Sequence, residues 1–533
     1  MTRYLLLIFC FFTFSVAGQS QNNIDVLHYK YTIELNDEND TIYGRADITV
    51  KFLESSNRLE FNLVQPDKKG KAMSIVNIIG PNAKNALADP GLRLCQIDLS
   101  KKTAVNDTAT YTIIYKGIPE DGLIISKNKY GKRTFFADNW PDRGHNWIPC
   151  KEDPADKASV EFIVTAPQHY QVVSNGIQIE ETNLADSKKR THWREDVPIS
   201  TKVMVIGVAD FAVNLSGTIN DCIPVYSWVY PEDRDKGFYD YAQAAEILPW
   251  FIKNVGPYAY KKLANVQSKT RFGGLENANT IFYSEHSVNG NRQSESLMVH
   301  EIAHQWFGNY ATEKSFAHLW LSEGFATSMT ILYMENKYGK DTAIAMLKED
   351  REQVIDFGKR NELPVVNNTK DYMTLLNANS YQKGGWVLHM LRSELGDSLF
   401  WKSIQLYYST YGGSVADTDD LRKVFEKVSG KDLKQFFQQW LFTAANPNLK
   451  INWNYNASSK KLNITTEQLQ KGEAFQFPLE FAFSTGKGKP SLQKIAISKK
   501  SETFTLTLDT KPESIVADPN ISLLFEGTVS EIK

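Results

Sequence analysis

His300-Glu301-Ile302-Ala303-His304 lies inside a helical pattern at 294–307, and the rest of the chain is organised around it. Residues four apart share one helix face. Both imidazoles can therefore reach a single tetrahedral metal, with Glu301 beside them and directed at a metal-bound water. A catalytic zinc takes three protein ligands and keeps one position open. Glu323 follows His304 by nineteen positions, within Leu319-Trp320-Leu321-Ser322-Glu323-Gly324-Phe325-Ala326, where the next apolar-periodic helix begins. A helix, a reversal and an antiparallel return bring it opposite the two histidines. On spacing alone a second reading stands equal to this one, in which Glu323 merely suits the positive end of its own helix. Gly324 fits a close approach of two helices, since glycine inside a helix costs about 1 kcal/mol relative to alanine.

Outward from these helices the texture changes twice. Upstream, apolar and polar residues alternate between Asn/Asp-rich turns, as in Tyr29-Lys30-Tyr31-Thr32-Ile33-Glu34-Leu35 and Ala46-Asp47-Ile48-Thr49-Val50-Lys51-Phe52. Period two predicts antiparallel strands with one buried face, hence an all-β domain over 19–216. Helical patterns at 239–254, 294–307, 320–338, 342–357, 381–395 and 421–442 predict a mainly α domain over 217–444, with a few strands near its start. After Asn446-Pro447-Asn448 the alternation returns at 450–455, 477–483 and 503–508, predicting a small β-sandwich over 445–533.

Composition narrows the classes further. With 42% hydrophobic and 23% charged residues, the chain of 533 residues reads as folded rather than disordered. Lys+Arg 60 against Asp+Glu 62 leaves a formal charge of -2 and no positive field to attract nucleic acid. Residues 1–18 read as a secretory leader: Arg3, an apolar run at 4–14 too short to span a bilayer, then Ser15-Val16-Ala17-Gly18. An exported protein, periplasmic or secreted and without a membrane span once the leader is removed, is expected. Cys95, Cys150 and Cys222 are too sparse for a disulfide framework, although one bridge is admissible.

The order and spacing of four stretches resemble the alanyl aminopeptidase (aminopeptidase N) family of gluzincin zinc metallopeptidases, which also includes leukotriene hydrolase. They are Gly273-Gly274-Leu275-Glu276-Asn277, the segment 300–304, the segment 320–326, and Tyr381-Gln382-Lys383-Gly384. A fifth, from Pro149-Cys150 through Lys157-Ala158, resembles the family's N-terminal domain. The resemblance implies a thermolysin-like central domain with one Zn²⁺ per chain, held by His300, His304 and Glu323, and Glu301 as general base. It further implies that Glu276 holds the substrate's α-amino group, that the strand at Gly273 and Gly274 pairs with the peptide backbone, and that Tyr381 donates to the oxyanion. Without it, Gly273-Gly274 reads as a turn and Tyr381 as a core aromatic. The chain departs from the family at Ser322, where asparagine is usual, and at His318, where an acid is usual. It also has Asp138 eleven residues before Pro149, where the family offers Gln or Glu as a second amine contact, and it reverses the acid order at Glu152-Asp153. It ends after the sandwich, so the large C-terminal helical domain of longer members is not expected.

The expectation is thus a multidomain zinc aminopeptidase that hydrolyses the N-terminal residue from peptides with a free amino terminus, Glu301 acting as general base on a zinc-bound water. Two alternatives stand beside it: a zinc endopeptidase using the same ligands, and a catalytically silent binding or scaffold member.

Overall fold

The computed structural model describes residues 23–66, 70–89, 93–486 and 488–532; the expected leader at 1–18 lies outside them. Strand Ile24–Glu34 pairs antiparallel with Ile42–Phe52 and parallel with Lys157–Pro167, at the centre of a sheet of seven described strands. Ile24 and Val26 are buried, then Tyr29, Tyr31 and Ile33. The one-residue change of phase coincides with a register shift between Val26 and His28, which keeps one face on the core. A smaller sheet, containing Arg133–Ala137 and Ile206–Ala209, leads into the segment that carries Trp140.

Strand Ala212–Ile219 straddles the boundary expected at residue 216. It pairs with Ile223–Val229 in a sheet that continues through Leu263–Ser268 and Thr280–Ser284 to Gly274–Leu275 at its edge. Helices follow: α1 (Arg234–Tyr241), α2 (Ala244–Asn254), α3 (Glu295–Ala303), α4 (Trp320–Tyr338), α5 (Lys340–Arg360), α6 (Gly384–Leu395), α7 (Asp397–Tyr411), α8 (Thr418–Ser429) and α9 (Lys434–Leu441).

Several of these differ from the helical patterns. The pattern at 421–442 becomes two helices because Gly430 adopts the left-handed conformation, φ 71°, and caps α8. The pattern at 381–395 opens with a π-helical turn, Asn379–Lys383, before α6. α7 has no counterpart among the expected helices; its Trp401, Tyr407, Tyr408, Thr410 and Tyr411 are residue types common in strands.

Gly324 does mark a close approach of two helices, but its partner is α6 and not the histidine-bearing α3. A Cβ there would lie 2.8 Å from the backbone C and Cα of Gly384, so α4 and α6 cross glycine against glycine. That crossing brings the turn bearing Tyr381 onto the helix bearing Glu323. The C-terminal strands form two sheets, one containing Asn448–Asn456 and Lys461–Gln468, the other Phe477–Ser484 and Ser491–Ile497. Ile451, Leu462, Leu479 and Phe481 are buried between elements of that region. No helix among the described residues is long and apolar enough to cross a membrane.

Candidate active site

His300 and His304 stand one turn apart on α3, and α4 returns Glu323 to face them. Glu323 Oε2 lies 3.2 Å from His300 Nε2 and 3.3 Å from His304 Nε2. The three donor atoms fall within 4.8 Å of one another. Zinc bonds of about 2.0–2.1 Å at tetrahedral angles put neighbouring ligand atoms roughly 3.3 Å apart, which the two measured separations match. Two imidazoles and a carboxylate are also the donor set that suits this metal.

The surroundings orient these groups. The Phe307 carbonyl accepts from His304 Nδ1–H at 3.1 Å, with Ser322 Oγ at 3.0 Å from the same nitrogen, so Nε2 is turned to the cluster. Burial opposes the His304 cation, but Glu323 outweighs it and lifts the imidazole to about 9. At His300 burial prevails and its pKa is lowered. Burial likewise opposes the Glu323 carboxylate, yet the two histidines hold it well below the ordinary range. The cluster therefore calls for positive charge beside Glu323, and a dication supplies it while leaving both Nε2 atoms as ligands. His318 stays outside, bonded through Nδ1 to Thr418 Oγ1 at 2.9 Å.

Glu301 is buried against the edge strand. A Cβ on Gly274 would sit 2.2 Å from Glu301 Oε1, so only glycine leaves the carboxyl its place. Gly274 thus makes room for Glu301, a contact its place in the sequence did not suggest. Burial drives the Glu301 carboxyl well above the carboxylate range; the His304 charge opposes this, and Glu276 and Glu323 add to it. Tyr381 lies with its ring 5.9 Å from that of His300, nearly parallel at 15°. Burial raises its hydroxyl well above 10 and keeps it a donor.

Glu276 completes the group. Its carbonyl accepts from Gln305 Nε2 at 3.0 Å and Asn309 Nδ2 at 2.6 Å, both just beyond α3, which pins the loop to the helix bearing His300 and His304. Its carboxyl Oε1 is buried without a hydrogen-bond partner among the described residues. Such an atom is costly to leave unpaired and well suited to a cationic donor from a ligand. Among the described residues Gly274–Leu275 pairs only with Thr280–Ser284, which leaves its other edge open.

His300, His304, Glu323, Glu301, Gly274, Glu276 and Tyr381 border one cavity of about 450 Å³, as does Gly273. Asp138 does not. It is fully buried and bonded to Arg143, whose Nε also donates to the Trp140 carbonyl at 2.7 Å. Asp138 therefore braces Trp140, and it is the tryptophan that lines the cavity. The sequence did not disclose Gln305 and Asn309, which hold the Glu276 carbonyl, nor, in the cavity wall, Phe272 and a branch formed by Thr327, Thr330, Ile331, Met346 and Asp350. Thr327 and Ile331 follow Glu323 at i+4 and i+8, a spacing that could have marked them; Asp350 arrives from α5 through tertiary packing alone.

Two family descriptions match: the Peptidase M1 N-terminal domain over residues 26–203 and the Peptidase family M1 domain over 239–440. Similar proteins include Aminopeptidase M1 of Arabidopsis thaliana, 26% identical over 68% of this chain and 44% of that one. Aminopeptidase 2 of Candida albicans is 23% identical over 91% and 54%, respectively. The Alanine/arginine aminopeptidase of Saccharomyces cerevisiae is 25% identical over 91% and 59%. The chain spans about half the length of these relatives. With both domain descriptions matched in order and the His300–His304–Glu323 cluster inside the second, the chain belongs to the M1 family of aminopeptidase-related peptidases.

Proposed function

We propose that this protein is a zinc-dependent aminopeptidase that removes the first residue of peptides. The observation that carries the reading is Glu276, a buried carboxylate with an unpaired oxygen in the cavity that holds His300, His304 and Glu323. The names of the relatives point the same way.

His300, His304 and Glu323 hold the ion. When bound, zinc polarises a carbonyl oxygen and lowers the pKa of a water toward 7. Glu276 takes the protonated α-amine of the peptide through charge-assisted hydrogen bonds, which sets the first peptide bond over the cluster. The open edge of Gly274–Leu275 pairs with the peptide backbone. Glu301 accepts the proton of the attacking water and returns it to the departing amine. Tyr381 donates to the carbonyl oxygen as it gains negative charge.

The test is cleavage of one peptide with its amino end free or acetylated, by the wild type and by Glu276→Ala. Acetylation removes the charge that Glu276 holds, so the free peptide is cut at its first bond and the acetylated one poorly; the variant loses kcat/KM on the free peptide. Equal cleavage of both peptides, or internal cuts as first products, refutes the aminopeptidase reading.

A further inference from the structure

Among the described residues, four carboxylates line the cavity, Glu276, Glu301, Glu323 and Asp350, and no lysine or arginine does. In the proposed function the ion answers Glu323 and Glu301, and the substrate's amine answers Glu276. Asp350 has no counter-charge in that scheme. Among the described residues its carboxylate has no ion pair or hydrogen bond, and its neighbours on α5 do not supply one. Arg351 is committed elsewhere, to Asp518 at 2.6 Å and the Leu523 carbonyl at 2.8 Å, and Glu349 repels it. Asp350 is half-buried, and this burial, with Glu349 adding, pushes its carboxyl up to about 7.

The placement of Asp350 gives it access to substrate. On α4, Thr327 and Ile331 continue the face of Glu323, and at 1.5 Å per residue Ile331 lies about 12 Å along the axis from it. Leu297 borders the same cavity one turn before His300. Met346 and Asp350, one turn apart on α5, close the branch. Glu276 is pinned at the other end of α3, by Gln305 and Asn309. The branch thus starts at the cluster and leads away from the amine anchor, with mainly apolar walls and one acid, Asp350, on the side formed by α5. The Thr327 and Thr330 hydroxyls donate back to the carbonyls of Glu323 and Ala326, at 2.8 Å each, which turns their hydrogens away from a ligand. An apolar stem ending in a cation, the form of a lysine or arginine side chain, suits such a branch.

We infer that Asp350 is a specificity-determining residue that selects peptides carrying a lysine or arginine side chain next to the scissile bond. This deepens the aminopeptidase reading and rests on it. The same chemistry is available from the first residue of the peptide or from the second, and the substrates distinguish them.

The experiment measures kcat/KM of the zinc-loaded full chain on peptides differing at one position: lysine, norleucine or glutamate as residue one, and the same three as residue two. In the wild type, lysine exceeds norleucine on the order of tenfold to a hundredfold at one of the two positions, as expected of a partly desolvated charge pair. In Asp350→Asn this lysine-to-norleucine ratio collapses toward one, and in Asp350→Lys the preference passes to glutamate. A variant that is merely destabilised loses all rates in proportion and keeps the ratio. A wild-type ratio near one at both positions, or a ratio that survives Asp350→Asn, overturns this inference while leaving the aminopeptidase reading intact. Failure to release the first residue from any of the peptides overturns both.

Discussion

Adding one methyl group at Gly274 should move the catalytic base and almost nothing else. The added Cβ would stand 2.2 Å from Glu301 Oε1, 2.4 Å from its Cδ and 2.7 Å from its Cγ. Ordinary contact requires at least about 3.4 Å, so the carboxyl must retreat by about 1 Å. The atoms in the way belong to the end of a flexible side chain, and Gly274 has no left-handed backbone for alanine to strain. Folding should therefore tolerate Gly274→Ala. Catalysis should not, because misplacing a reacting group by 1 Å costs about 10²-fold, or roughly 2.7 kcal/mol in the barrier. Gly273→Ala is the internal control: its Cβ would meet only Leu297 methyl carbons, at 3.8 and 3.9 Å. The assay combines kcat on a free peptide, zinc content and Tm for both variants. The expected outcome is a fall of about a hundredfold in kcat for Gly274→Ala with zinc and Tm retained, and a small change for Gly273→Ala. Near-wild-type turnover in Gly274→Ala, with full metal, would refute the placement of Glu301 as base.

Three further outcomes follow from the same geometry. Glu301→Gln should retain zinc while kcat falls by roughly 10²–10⁴, since Glu301 adjoins the ligands without being one; metal analysis beside turnover checks it. Tyr381→Phe should lower kcat by about 10²–10³ with little change in Tm, whereas a purely structural tyrosine would show the opposite pattern in the same two measurements. Lys383 is buried with the Ala445 carbonyl at 3.0 Å, and burial depresses it to about 7. Its unfolded value is about 10.4, so between those two values the unfolded chain binds the extra proton and stability rises with pH. Lys383→Met should flatten that rise in urea midpoints taken at pH 7, 8 and 9, and an unchanged slope would contradict the assignment.

What the sequence disclosed and what it hid divide along physical lines. Strands with one wet face were legible because alternation records burial directly, as in Ile42–Phe52, where Ile42, Ala46, Ile48, Val50 and Phe52 face the core. The bulge at Val26–His28 was not, since one skipped phase looks like noise until the partner strand is known. Within the cluster, spacing along single helices disclosed His300 and His304; Gly324 signalled a close approach of two helices, but not that α6 is the partner. Residues that depend on a second element were hidden. Trp140 comes from the N-terminal domain and is held by Arg143 and Asp138, and Asp350 comes from α5. Asp138 shows the same limit in reverse: a matching position did not reveal that an arginine five residues on takes its carboxylate away from the cavity.

Back-titration of zinc into chelator-stripped protein tests the central claim most directly, with hydrolysis of a free peptide followed at each addition. Activity should be absent without metal, rise linearly and break at one zinc per chain, where His300, His304 and Glu323 are filled. Full activity in metal-free protein, or zinc bound at one per chain with no return of hydrolysis, would contradict it.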